Sequence, residues 1–154
     1  MSHVIPPWDE TFINTARVWA KRSKDPHTHI GACIAGSDNE VVSTGYNSFP
    51  RGIDDNVPER MERPEKYRWF EHAERNAIYQ AARIGISLKG CRMYLSCWVP
   101  CTDCARAIIQ VGIKEVILGQ KVEDASRTKW IEEAARSTVM FEEAGVKVRY
   151  YEGE

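Results

Sequence analysis

The sequence predicts a three-layer α/β/α domain built on a mixed five-stranded sheet, and three observations carry that prediction. Periodicity along the 154 residues runs in the order α-β-β-α-β-α-β-α-β. The first two strands are separated only by the turn cluster Gly36-Ser37-Asp38-Asn39, so they read as a hairpin. The last three strands are joined by helices, which makes them parallel neighbours with right-handed crossovers. The length suits one core, and no repeat, low-complexity tract or linker divides it, so residues 1–154 are expected to form a single domain.

Each element has its own warrant. Trp8, Phe12, Thr15, Ala16 and Trp19 recur at helical spacing and predict a helix over 8–22, stopped by Ser23-Lys24-Asp25-Pro26. Small and branched residues predict strands at 29–35 and 40–46. The stretch 48–71 carries three prolines and interleaved charges, Arg51, Arg60, Arg63, Lys66 and Arg68 among them, and predicts a long connection. An alanine-rich helix is expected over 72–84, with Gly85 at its stop. A strand over 91–97, a helix over 101–111 ended by Gly112, and a short buried strand over 114–118 follow. Trp130, Ala134, Thr138 and Phe141 mark a long helix over 127–144, and Gly145 precedes a last strand at 146–151.

Composition excludes several partners. Lys and Arg total 21 against 22 Asp and Glu, a formal net charge of -1. That balance gives no general attraction to nucleic acid or an anionic membrane. No apolar run approaches the roughly 20 residues of a membrane span, and the first residues lack the regions of a signal peptide. A cytoplasmic protein is expected, with neither nucleic acid nor membrane as partner. Five cysteines, an odd number, argue against a disulfide framework and for metal binding or chemistry.

Two motifs carry the chemistry: His72-Ala73-Glu74 at the start of one helix, and Pro100-Cys101-Thr102-Asp103-Cys104 at the start of the next. Alone, each is weak or moderate. Together they match the paired pattern of zinc nucleobase deaminases. Cys101 and Cys104 lie one turn apart, so both sulfurs can face one point. A helix N-terminus favours thiolates, and Pro100 suits a helix entry. With His72 they make three zinc ligands and leave a fourth position for water, the pattern of a catalytic site. Zinc lowers the pKa of bound water to roughly 7. The resulting hydroxide would attack a ring carbon bearing an amine, while Glu74 shuttles protons. Three alternatives stand beside this reading. Cys97 would complete a four-ligand structural site, Cys101 and Cys104 would form a redox pair, or the zinc would only join two helices. Cys33, Cys91 and Cys97 fit better as buried packing residues.

These residues resemble the deoxycytidylate (dCMP) deaminases, within the zinc-dependent cytidine/deoxycytidylate deaminases. The likeness runs from about Trp8 to Tyr150. It includes 22–26 with 30–34, the turn Gly45-Tyr46-Asn47-Ser48-Phe49-Pro50, both zinc motifs and 109–116. It implies a cytidine-deaminase-like fold, one zinc per subunit, conversion of dCMP to dUMP with release of ammonia, and a place in thymidylate supply. It also implies a homo-oligomer, often a hexamer. Asn47 is expected to bind the sugar, and the Ala73 backbone with the segment Ser96 to Pro100 to frame the base. Trp98 adds an aromatic surface beside the zinc motif. The charged loop, with Ser23 and Lys24, offers donors for a monophosphate, and Lys24 or Arg51 is the expected phosphate ligand. A same-fold deaminase of another small nucleotide, nucleoside or base is the alternative. Ser48 stands where the family usually has glycine, and Glu71 where it has cysteine or an apolar residue.

Overall fold

A computed structural model describes residues 2–120 and 128–153. The chain runs α1 (Trp8–Ala20), β1 (Gly31–Ala35), β2 (Val41–Tyr46), a 3-10 turn (Pro58–Met61), α2 (Lys66–Trp69), α3 (Ala73–Ile84), β3 (Arg92–Leu95), α4 (Thr102–Gln110), β4 (Glu115–Leu118), α5 (Thr128–Ala144) and β5 (Lys147–Tyr150). One sheet holds all five strands in the order β2-β1-β3-β4-β5. β1 pairs antiparallel with β2 and with β3, whereas β3, β4 and β5 are mutually parallel. The expected mixed sheet with its parallel end is therefore the one observed.

Alternation along the strands divides the core into two layers. Cys33, Ala35, Tyr94 and Ile117 pack with Phe12, Ile13 and Ala16 of α1 on one face. Ala32, Ile34, Met93, Leu95, Val116 and Leu118 face α3, α4 and Phe141 of α5 on the other. Gly45 sets how closely α3 approaches β2. A Cβ at that position would lie 2.5 Å from Ala77 N and 2.6 Å from Ala73 O, both backbone atoms. Gly85 ends α3 in the left-handed conformation (φ 76°), as its sequence position predicts.

The ends of the elements differ from expectation in an informative way. The helices predicted from residues 72 and 101 begin one residue later. His72 and Cys101 are the flanking N-cap residues, with extended backbones (ψ 150° and 167°), and neither side chain caps its helix. The strand predicted over 91–97 is observed over Arg92–Leu95. Ser96 N–H still donates to the Gly31 carbonyl at 3.0 Å, but Gly31 N–H donates at 2.9 Å to the Ser96 hydroxyl rather than to a backbone carbonyl. The expected start of the last helix at Arg127 lies outside the described residues.

The connection 48–71 is ordered by contacts that no local pattern announces. Ser48 and Glu71 exchange backbone hydrogen bonds of 3.1 and 2.8 Å, closing the segment at its base. Lys66 is buried and its Nζ donates to both oxygens of buried Asp25, at 2.9 and 3.0 Å. Burial alone would raise the Asp25 pKa. Hydrogen bonds from His27 N–H and from Lys66 outweigh it and hold the carboxyl below its ordinary value.

Candidate metal centre and active site

The two N-cap positions define the site. Because His72 and Cys101 stand just outside their helices, their side chains turn toward each other instead of along the helix surface. His72 Nδ1 lies 3.5 Å from Cys101 Sγ and 3.4 Å from Cys104 Sγ. All three ligand atoms fall within 4.8 Å of one another. A tetrahedral zinc with its usual Zn–N and Zn–S bond lengths requires an N···S edge of about 3.5 Å. The spacing and the one-nitrogen, two-sulfur donor set therefore fit zinc. Among the described residues, this is the group of three or more such side chains close enough to share an ion. Cys97, the candidate fourth ligand, is outside it: its thiol contacts the Trp98 carbonyl at 3.4 Å.

The cysteines separate by environment. A hydrogen bond from Cys104 holds the Cys101 pKa down to about 4, against the opposing effect of burial and with help from His72. The same bond pushes the Cys104 thiol up. His72 is raised to about 9, first by its bond to Cys101. The lowered Cys101 and raised Cys104 pKa values make the pair one thiolate and one thiol, and binding a cation would displace the remaining proton. Burial pushes Cys33 up to about 12 and raises Cys91 and Cys97, so these three behave as packing residues.

Glu74 is buried, and burial raises its pKa, with His72 and Cys104 acting the other way. Its Oε2 lies 3.9 Å from His72 Nδ1. A raised carboxyl pKa moves the group toward the range where it can both accept and return a proton near neutrality.

A cavity of about 410 Å³ opens onto this cluster, lined by His72, Glu74 and Cys101 together with Asn47, Trp98 and Pro100. Three of the expected substrate contacts thus reach it. Asn47 is fixed within its wall: Oδ1 accepts from Ile30 N–H and Nδ2 donates to the Thr28 carbonyl, both at 2.8 Å. Ala73 and Ser96 are not on the lining. Lys24 and Arg51 line a different cavity, of about 790 Å³, beside β2. There Lys24 pairs with Asp55 at 2.9 Å and Arg51 donates to Gln80 at 2.6 Å. The cations that do line the metal-cluster cavity are Arg63, Lys66 and Lys129. The sequence marks Trp130 only as part of a helix stripe, yet it lines this cavity too.

The sequence profile of the cytidine and deoxycytidylate deaminase zinc-binding region matches residues 6–120. The chain belongs to this family. Deoxycytidylate deaminases of Pongo abelii and Homo sapiens are 41% and 40% identical to this family member over 150 residues, covering 94% of it and 79% of each relative. A deaminase of Aliivibrio fischeri is 38% identical and is covered over 95% of its length. The dCMP deaminase of cyanophage S-TIM5, solved with dCMP and dUMP, superposes with a TM-score of 0.74 at 22% identity, covering 97% of this chain and all of that one. That likeness establishes the shared fold. The family's zinc-binding region includes His72, Cys101 and Cys104, the three residues that the geometry groups together.

Proposed function

We propose that this chain deaminates dCMP to dUMP, releasing ammonia, with His72, Cys101 and Cys104 as zinc ligands and Glu74 as the proton carrier. The observation that carries the reading is Glu74. A site that only joined two helices would have no use for a buried carboxylate beside an N/S/S ligand set on a cavity wall. When bound, zinc supplies the Lewis acidity that makes water a nucleophile near neutral pH. Glu74 accepts the proton that water loses as it adds to the amine-bearing ring carbon. It passes that proton to the ring nitrogen, then takes the second proton from the hydroxyl now on the ring carbon and gives it to the amine as the carbon–nitrogen bond breaks and the carbonyl forms. Water and dCMP give dUMP and ammonia, and Glu74 returns to its starting state.

Trp98 and Trp130 supply aromatic surface for the base. Asn47, whose described bonds leave one amide hydrogen uncommitted, is suited to the sugar. For the phosphate we favour Arg63 and Lys129 over Lys24 and Arg51. Lys66 is spent on Asp25, whereas neither Arg63 nor Lys129 has a carboxylate partner among the described residues.

We further infer a single deaminase unit that works as a homo-oligomer in the cytoplasm. Five unpaired cysteines suit a reducing compartment. No helix of the described residues is long and apolar enough to cross a membrane. Trp19, Val41, Ile53, Tyr79 and Ile84 are exposed around the cavity at the β2 edge, an apolar surface that a second copy would cover. A monomer by light scattering would refute the oligomer. The activity is tested by ammonia release from dCMP, CMP, deoxycytidine, cytosine and guanine, side by side. The expected result is fastest turnover of dCMP, and preference for any other substrate in the panel overturns the assignment.

A further inference from the structure

The start of α4 has a vacancy in its own capping and fills it from another helix. Four N–H groups at a helix start lack intrahelical partners, and the N-cap side chain commonly serves one of them. Here the N-cap residue is Cys101, whose side chain makes no such bond and faces His72. Glu133 of α5 takes its place. Its Oε2 accepts from Thr102 N–H at 3.1 Å and from Thr102 Oγ1 at 3.0 Å. A carboxylate at this end also complements the positive pole of the helix. α3 differs: its N-cap is His72, again without a side-chain cap bond, and among the described residues no side chain of another helix replaces it.

Glu133 sits one turn beyond Lys129 and Trp130, which line the cavity that His72, Glu74 and Cys101 also line. A single side chain therefore joins the helix start that bears Cys101 and Cys104 to the helix that carries one wall of the cavity.

We propose that Glu133 is a positioning residue: it holds the ligand-bearing start of α4 in register with the Trp130 wall, so that metal retention depends on it. The inference rests on the zinc reading of the cluster. The test is the rate at which the full-length, zinc-loaded protein loses zinc to excess chromogenic chelator, with thermal unfolding measured in parallel. Glu133→Ala removes the cap and should release zinc roughly three- to thirtyfold faster. Glu133→Gln keeps a carbonyl acceptor for Thr102 N–H and should stay near the wild-type rate. Arg136→Ala removes only the ion pair that Glu133 makes at 3.5 Å and should also match wild type. Thr102→Ala deletes the hydroxyl arm alone and should accelerate release by a smaller factor, which keeps the test open if Glu133→Ala fails to fold. Wild-type release from Glu133→Ala with a lowered melting temperature would overturn the proposal, because the contact would then be merely structural. Equal acceleration in Glu133→Ala, Glu133→Gln and Arg136→Ala would overturn it as well. A wild-type chain that binds no zinc would instead overturn the metal reading beneath it.

Discussion

At the scale of single residues, the ligands and the proton carrier were legible because their chemistry imposes a spacing along the chain. Cys101 and Cys104 must share a turn, and Glu74 must follow His72 closely. Both constraints survive without knowing where the helices lie. The phosphate contact has no such signature. Lys24 and Arg51 look as suitable as Arg63 until the fold turns the first two toward Asp55 and Gln80 and leaves Arg63 on the metal-cluster cavity. If Arg63 meets the phosphate, Arg63→Ala loses a charge-assisted bond. KM for dCMP should then rise roughly tenfold or more, with deoxycytidine turnover unchanged. Steady-state kinetics on both substrates decide the point. An equal loss on the two would remove the phosphate role.

At the scale of elements, order and direction could be read because each strand is bounded by turn residues and each crossover has one favoured hand. The ends could not, since periodicity does not register where a helix's first residue swings out to serve another site. His72 and Cys101 show this: both continue the helical pattern yet stand at extended N-cap positions. The contact of α3 with β2 was likewise hidden. Nothing local marks Gly45 as the point where the Ala73 and Ala77 backbones come within 2.6 Å of where a Cβ would lie. Gly45→Ala must push α3 away from the sheet, and with it His72 and Glu74. A loss of about 1–3 kcal/mol in urea unfolding is expected. A fall in kcat of roughly a hundredfold should accompany it, as for a misplacement near 1 Å. Wild-type stability and kcat in this variant would refute the close-packing argument.

At the scale of the whole molecule, long-range pairs tie the segments around the cavity together, and none is visible in a window of sequence. Asp25 and Lys66 are the clearest case, two buried charges from segments far apart in the chain. The folded-state pKa of Asp25 lies below its ordinary value of 3.8. Its contribution is therefore fully present above that value and is lost as pH falls below it through the folded pKa. Asp25→Asn leaves Lys66 buried without a counter-charge, at a cost of about 3–5 kcal/mol. The variant should show a much lower urea midpoint near neutral pH and a flatter acid limb than wild type. Identical acid limbs would show that the pair does not govern acid stability. The tie also bears on chemistry, because Asp25 and Lys66 both stand on the wall of the cavity that holds Glu74.

The account turns on Glu74 as a proton carrier beside a zinc held by His72, Cys101 and Cys104. The most direct test is the zinc content of purified Glu74→Ala measured together with its turnover of dCMP. One zinc per chain with kcat reduced by roughly a hundredfold or more is the predicted result. Full zinc occupancy with turnover close to wild type would contradict it.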